Sequence, residues 1–179
     1  MKKSVLKVQM FGTYSIEYEG NPVSFERNTT TKTNQLMQIL LQAGEKGVTR
    51  AKLLSDLFGN EEMSNPANSL RATVFRLRRL LAAGLPEDEY VTIKGGSYYW
   101  TSGIPYELDA HQFEELLKKA EKENDPEKKK SYIEEACELY RGEFLPQLGA
   151  EEWAVVLNVY YKNLFSNAMR TLCQVLKDE

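Results

Sequence analysis

Residues 68–81 read NSLRATVFRLRRLL, and this stretch decides the fold because it combines an apolar helical stripe with four arginines. On a helix of 3.6 residues per turn, one narrow face collects Leu70, Val74, Leu77 and Leu81. Such a stripe is typical of a helix that is buried along one side against the rest of a domain.

The face opposite that stripe is polar and basic, and it is formed by Asn68, Ala72, Phe75, Arg76 and Arg79. Two further arginines, Arg71 and Arg78, flank the apolar stripe and lie nearer to the body of the domain. Like charges three or four residues apart repel each other on a helix, and no acidic residue between positions 65 and 85 relieves the repulsion.

Two explanations for this uncompensated charge follow from the sequence. DNA phosphates supply the counter-charge in one, and in the major groove arginine reads guanine while apolar groups contact the methyl group of thymine. In the other, the arginines are paired with acids from elsewhere in the chain, such as Glu61, Glu62 or Glu87. The pattern favours a helix that binds nucleic acid.

The formal charge of −3 is unevenly distributed along the 179 residues. Residues 1–104 hold 13 Lys and Arg against 10 Asp and Glu, a balance of +3, whereas residues 105–179 hold 10 against 16, a balance of −6. This predicts that contact with a polyanion is confined to the first part. No apolar run approaches the roughly 18 residues of a membrane span, and Lys7 and Gln9 interrupt any signal-peptide core, so we expect a cytoplasmic protein without a membrane partner.

Signals of enzymatic or metal chemistry are weak. The two cysteines, Cys137 and Cys173, are far apart and fall in helical apolar patterns, so we expect them to be buried reduced thiols. His111 is the single histidine, which offers neither a metal cluster nor a catalytic triad. We therefore predict no metal, no cofactor and no enzymatic activity.

The predicted elements follow the order of a winged helix-turn-helix. An antiparallel meander of about three strands comes first, within residues 5–25. Three helices follow, beginning after the N-cap candidates Thr31, Thr49 and Asn65, and the third runs from Pro66 to about residue 83. Residues 90–100 read as a β-hairpin around a Lys-Gly-Gly turn. We call this hairpin the wing.

From residue 105 the pattern is wholly helical. Helices are predicted after Asp109, after Pro126 and from about residue 151 to 177, and they are expected to form antiparallel pairs. The sequence therefore predicts an α+β winged helix-turn-helix domain over residues 1–104 and an all-α, tetratricopeptide-like domain over residues 105–179.

Two other parts of such a fold are candidates for contact with the DNA backbone. Lys94 at the tip of the wing is expected to reach a phosphate or the minor groove. Thr30, Thr31 and Lys32 stand at the start of the first helix, where free backbone amides attract a phosphate.

The sequence resembles two known bacterial families. VTRAKLLSDLFG (48–59), NSLRATVFRLRRLL (68–81) and YVTIKGGSYYW (90–100) resemble the DNA-binding domain of OmpR/PhoB-type regulators. LYRGEFLPQLGAEEWA (139–154) is similar to the bacterial transcriptional activator domain, a helical domain of tetratricopeptide-like pairs. The combination resembles the SARP (antibiotic regulatory protein) type of transcriptional regulator.

This resemblance implies a sequence-specific transcriptional regulator, an activator that binds direct repeats in double-stranded DNA as a homodimer and recruits RNA polymerase. Such a protein acts in the bacterial cytoplasm and associates with the nucleoid when it is bound. The resemblance also implies a role for each matching position. Base or phosphate contacts are implied for Arg71, Ala72, Phe75 and Arg76, a backbone clamp for Arg78, wing contacts for Lys94, Gly95, Gly96, Ser97, Tyr98 and Tyr99, a further backbone contact for Arg50, and a polymerase-contact loop for Asn60, Glu61 and Glu62.

Three departures from the family pattern qualify these roles. Phe75 stands where many relatives have a polar or basic residue, and two contacts are open for it: the methyl group of a thymine, or the wing. Tyr99 replaces the arginine that relatives send into the minor groove, which leaves Lys94 as the substitute. The helical half is shorter than the family's usual domain, so we expect it to be partial.

A protein-interaction scaffold without DNA readout is the alternative function. The acidic second half and an exposed pair of aromatic residues, Tyr160 and Tyr161, are compatible with it.

Overall fold

The computed structural model describes residues 4–86 and 89–177. It divides into two compact units. The first comprises Ile16–Tyr106 with the residues up to Lys7, and the second comprises Val8–Ser15 with the chain from Glu107 onward. The sequence analysis divided the chain between residues 104 and 105. It did not predict that Val8–Ser15 would group with the helical half.

The order of elements confirms the predicted α+β winged-helix fold followed by helices. The elements are β1 (Leu6–Gln9), β2 (Ser15–Tyr18), β3 (Asn21–Val23), α1 (Lys32–Ala43), β4 (Val48–Thr49), α2 (Arg50–Phe58), α3 (Pro66–Gly84), β5 (Val91–Lys94), β6 (Ser97–Trp100), β7 (Tyr106–Leu108), α4 (Asp109–Lys122), α5 (Pro126–Leu139) and α6 (Glu152–Lys177), with short 3-10 turns at Gly44–Lys46 and Pro146–Leu148.

The N-terminal sheet has four strands, in the order β3-β2-β1-β7. β2 and β3 pair in antiparallel register, with Ile16 opposite Val23, and the two-residue turn between them has positive φ at Glu19 and Gly20. That turn geometry matches the twist of a hairpin. The sequence predicted only three strands, because β7 has three residues and is too short to show an alternating pattern.

Side-chain caps start the three helices of the first unit, as the sequence predicted. The Oγ1 atoms of Thr31 and Thr49 accept hydrogen bonds from the backbone N–H groups of Asn34 and Lys52, each at 3.2 Å. The Oδ1 atom of Asn65 accepts from the N–H group of Asn68 at 3.1 Å. Each cap satisfies an amide that has no partner within its own helix, which is worth about 1 kcal/mol.

The core of the first unit is aliphatic, and α3 contributes its predicted stripe to it. Leu70, Val74, Leu77 and Leu81 are all buried. Three other elements of this unit also contribute buried side chains: Leu36 and Leu40 from α1, Leu53 and Leu57 from α2, and Tyr98 and Trp100 from β6. Burial of the whole stripe fixes which side of α3 faces outward.

The wing is part of a three-stranded sheet, in the order β4-β6-β5. Gly95 and Gly96 form its turn with φ values of +59° and +76°, which residues with a side chain rarely adopt. Gly47, just before β4, has a φ of +65°, and a Cβ atom placed there would lie 2.4 Å from the Tyr99 ring. The Tyr99 ring therefore covers the backbone at Gly47.

An aromatic cluster forms the centre of the second unit. The Phe11 ring has its centroid 5.4 Å from that of Phe113 and 5.2 Å from that of Tyr161, both edge-on. The Asp109 carboxylate at the start of α4 accepts hydrogen bonds from the N–H groups of Met10 (2.8 Å) and Phe11 (3.0 Å). These contacts explain why Val8–Ser15 belongs to the helical unit.

The side chains of α6 that are buried differ from the sequence prediction at Tyr161. The buried positions Ala154, Tyr161 and Ala168 recur every seven residues, so Tyr161 is fully buried and its hydroxyl donates to Glu114 at 2.7 Å. Of the predicted exposed pair, only Tyr160 lies at the surface. Val156 and Met169 of the same helix are exposed as well.

The cysteines also depart from the expectation of buried thiols. Cys137 is half-buried, with its Sγ atom 3.7 Å from the Met169 Sδ atom, whereas Cys173 is exposed because it lies off the buried side of α6. In the part of the chain that the structure describes, no helix is long and apolar enough to cross a membrane.

Candidate nucleic-acid interface

The outward side of α3 presents the residues that the sequence placed there. Asn68, Ala72, Phe75, Arg76 and Arg79 are all exposed, and we call this set the reading face. Its first turn contains no acidic residue. Arg71, on the flank of the helix, is exposed too.

The alternative explanation paired the arginines of α3 with acidic residues from elsewhere in the chain. Glu61 pairs with Lys32. Glu87 lies outside the described residues. Within residues 4–86 and 89–177, no carboxylate lies within salt-bridge distance of Arg71, Arg76 or Arg79. Among the described residues, these three guanidinium groups therefore form no ion pair.

A shallow groove of about 570 Å³ runs along the reading face. It is lined by Glu26, Ala72, Phe75, Arg76, Arg79, Leu80 and Ala83. The Phe75 ring is 63% exposed, and the Arg79 guanidinium carbon lies 5.8 Å from its centroid, a cation–π distance. The ring is open to solvent, which favours the thymine contact over packing against the wing.

Glu26 is a residue of this groove that the sequence reasoning missed. Its carboxylate accepts hydrogen bonds from the Thr31 hydroxyl and from the Asn34 side-chain amide (3.4 Å). Nothing in the sequence indicated the contact, because 46 positions separate Glu26 from Ala72. The groove therefore combines two guanidinium groups with one carboxylate, which is an acceptor of the kind that binds the cytosine amino group.

Arg78 has a different contact from the one that the resemblance implied. Its Nη2 atom donates a hydrogen bond to the backbone carbonyl of Val91 at 2.8 Å, on the outer strand of the wing. The side chain thus connects α3 to the wing. A phosphate clamp would have to use the N–H groups that this bond leaves available.

The wing presents fewer surface residues than the sequence suggested. Lys94, Gly95 and Gly96 are exposed at its turn, while Ser97 is half-buried. Tyr98 is only 6% exposed: it pairs with Ile93 in the hairpin and its ring belongs to the core, which leaves little of its surface for the predicted contact with DNA. Tyr99 is half-buried against Gly47.

The polar groups at the start of α1 already form hydrogen bonds with nearby side chains. The Thr30 hydroxyl and N–H both donate to the Asn28 side-chain oxygen, at 2.6 Å and 2.9 Å. The Thr31 hydroxyl donates to Glu26. Because a carboxylate already lies beside this helix end, the predicted phosphate site at Thr30 and Thr31 is poorly disposed to accept a second anion.

Two of the remaining candidates are connected to other parts of the surface. The Lys32 ammonium forms an ion pair with Glu61 at 2.8 Å, which joins the start of α1 to the exposed loop of Asn60, Glu61 and Glu62. The N–H group of Arg50 donates to the Gly96 carbonyl at 3.0 Å. The backbone of Arg50, whose side chain is exposed, therefore lies beside the turn of the wing.

The first unit therefore brings together most of the candidate residues on α3, on the wing and at the starts of α1 and α2. In the part of the chain that the structure describes, no group of three or more His, Cys, Asp or Glu side chains is arranged to hold a metal ion.

Two protein families match this chain. Residues 26–100, which contain α1 to the wing, match the family described as "Transcriptional regulatory protein, C terminal". Residues 108–178, which contain α4 to α6, match the "Bacterial transcriptional activator domain". Both are domains of transcription regulators and not of enzymes.

Two individual proteins are also similar. Protein RcaC of Microchaete diplosiphon is 29% identical over 123 residues, which cover 63% of this chain and 18% of that protein. The structure of Mycobacterium tuberculosis EmbR in complex with a low affinity phosphopeptide has a TM-score of 0.77 at 16% identity, covering 98% of this chain and 46% of that chain. The EmbR likeness shows a shared fold. This chain spans less than half the length of either protein.

Proposed function

Since the chain belongs to the SARP-type transcriptional regulators, we propose that it binds a specific sequence of double-stranded DNA through α3 and activates transcription from the neighbouring promoter. Binding to chromosomal DNA implies that it acts in the bacterial cytoplasm, at the nucleoid. DNA binding is assigned to the first unit.

The reading face carries this proposal. Arg76 and Arg79 project from a helix whose opposite side is fully buried, so they are held outward on a rigid element. An α-helix fits into the major groove, where an arginine donates two hydrogen bonds to a guanine edge. The arginines of this face, which form no ion pair among the described residues, also favour phosphates, so affinity is expected to fall steeply as salt is added.

The wing and the start of α2 support the helix in this role. Lys94 is exposed at the turn of the wing, and the exposed Arg50 is joined to that turn by its backbone N–H group. Cations next to a recognition helix fix its register on the duplex by contacting phosphates without reading sequence. Specificity is accordingly assigned to the reading face, and general affinity to Lys94, Arg50 and Arg71.

Two further parts of the proposal rest on the resemblance to relatives. The protein binds direct repeats as a pair of protomers, and the loop of Asn60, Glu61 and Glu62 contacts RNA polymerase. The exposure of this loop is compatible with such a contact.

A second candidate is a protein-interaction module, and exposed apolar side chains on α6 favour it. Val156, Val159 and Tyr160 are exposed at positions that lie along one side of that helix. This function predicts negligible, salt-insensitive binding to DNA together with a tight protein partner.

Selection of bound duplexes from a random-sequence library by the full chain tests the proposed function. We expect enrichment of one motif, present as a direct repeat, with a Kd in the range of about 10⁻⁸ to 10⁻¹¹ M at moderate salt. Recovered duplexes that do not differ from the input library would contradict sequence-specific binding and favour the second candidate.

A further inference from the structure

We propose that Phe75 determines specificity by contacting the C5 methyl group of a thymine in the bound site. The inference rests on the proposed function, because it assigns a target to one residue of the reading face.

The placement of Phe75 is the first observation. It is a large apolar side chain with 63% of its surface exposed, although the core of the unit lies on the other side of the same helix. Ala72, one turn earlier, lines the same groove. The ring and the Ala72 methyl group together form an apolar surface among the arginines of the reading face.

The chemistry of base edges identifies the ligand of such a surface. In the major groove, every base pair presents hydrogen-bond donors and acceptors, and only thymine adds an apolar group, the C5 methyl. A phosphate or a guanine edge gains nothing from an aromatic ring without a polar atom, so a thymine is the base that Phe75 is able to recognise.

The neighbouring guanidinium adds a constraint on the position of that thymine. The Arg79 guanidinium carbon lies 5.8 Å from the ring centroid, one helical turn further along α3. Successive base pairs are separated by about 3.4 Å, so the groups read by Phe75 and Arg79 lie within about two base pairs of each other. The site is therefore expected to contain a thymine close to the guanine that requires Arg79.

Replacement of single thymines by deoxyuridine in the selected duplex tests the contact, because it removes the methyl group and leaves base pairing intact. For the unaltered protein, one such replacement should weaken binding about fourfold, the effect of one methyl group that is no longer buried. For Phe75→Ala the same replacement should have no effect, and Phe75→Leu should retain part of the sensitivity.

The control variant is Leu176→Ala, which removes an exposed apolar side chain from the helical unit. It should leave the deoxyuridine sensitivity unchanged. Phe75 is exposed, so its variants are expected to fold, and thermal unfolding of each variant checks this.

The outcomes separate the two claims. Sensitivity at one thymine that disappears only in the Phe75 variants supports the inference. Sensitivity that survives in Phe75→Ala, a uniform loss of affinity for all duplexes, or no sensitivity at any thymine overturns it while the proposed function stands. Absence of any sequence-specific binding by the unaltered protein overturns the proposed function and the inference with it.

Discussion

Arg78 on α3 and Val91 on β5 are joined by a hydrogen bond of 2.8 Å from the guanidinium Nη2 atom to the backbone carbonyl oxygen. β5 is the outer strand of its sheet, and its pairing with β6 leaves one side of its backbone without a strand partner. The arginine therefore supplies a donor to a strand edge and links α3 to the wing.

Arg78→Ala is expected to destabilise the free protein. Loss of this bond should lower the free energy of unfolding by about 1 kcal/mol, the typical net value of one such hydrogen bond. Urea unfolding without DNA measures the change. Arg78→Ala should also weaken DNA binding, and by about the same factor for every duplex sequence. Unchanged stability together with weakened binding would instead indicate that Arg78 acts only on a DNA phosphate.

Glu61→Gln is expected to strengthen DNA binding. The Glu61 carboxylate lies 2.8 Å from the Lys32 ammonium, so the variant removes one negative charge from beside the start of α1. The dependence of log Kd on log salt should become steeper by up to about one unit, as for one added phosphate contact.

Glu62→Gln is the matched control for Glu61→Gln, because it makes the same change of charge at the next position of the loop. It should alter the salt dependence less. Equal effects of the two variants would mean that the charge of the loop matters and that the Lys32 ion pair does not.

Much of the fold of the first unit was predictable because its signals are local. The caps Thr31, Thr49 and Asn65 and the stripe from Leu70 to Leu81 depend on residues within a few positions of one another. Helix capping and helical periodicity need no tertiary information.

The candidate site was predictable only in part, since its contacts join distant residues. Glu26 in the groove, the bond from Arg78 to Val91 and the ion pair of Lys32 depend on packing that no short stretch encodes. The wing contact of Tyr98 was implied by the family resemblance, which does not say which face of the short strand is buried.

Asp109→Asn is expected to destabilise the second unit. The carboxylate accepts hydrogen bonds from Met10, Phe11 and Ala110, and an asparagine has only one oxygen to offer them. In either orientation of the amide, its NH₂ group faces at least one of these three N–H donors, which should cost about 1–3 kcal/mol in the free energy of unfolding.

The size of that cost should depend on pH. Burial raises the pKa of Asp109 above its ordinary value, although the three backbone N–H groups and Arg141 lower it in part. The stability that this raised pKa contributes is present below the unfolded-state pKa of about 3.9 and is lost as pH rises through the folded-state pKa. Urea unfolding at pH 4 and pH 7 should show a larger advantage of the unaltered protein over Asp109→Asn at pH 4. An advantage that grows with pH would contradict this.

The most direct test of the central claim, that α3 reads DNA sequence, is the ratio of Kd values for a scrambled and a selected duplex in Arg76→Ala. Arg170→Ala is the matched control, since it removes an equally exposed helical arginine from the other unit. We expect Arg76→Ala to reduce the ratio by about 5- to 150-fold, the value of one bidentate base contact, and Arg170→Ala to leave it unchanged. An Arg76→Ala protein that retains the full ratio would contradict the account.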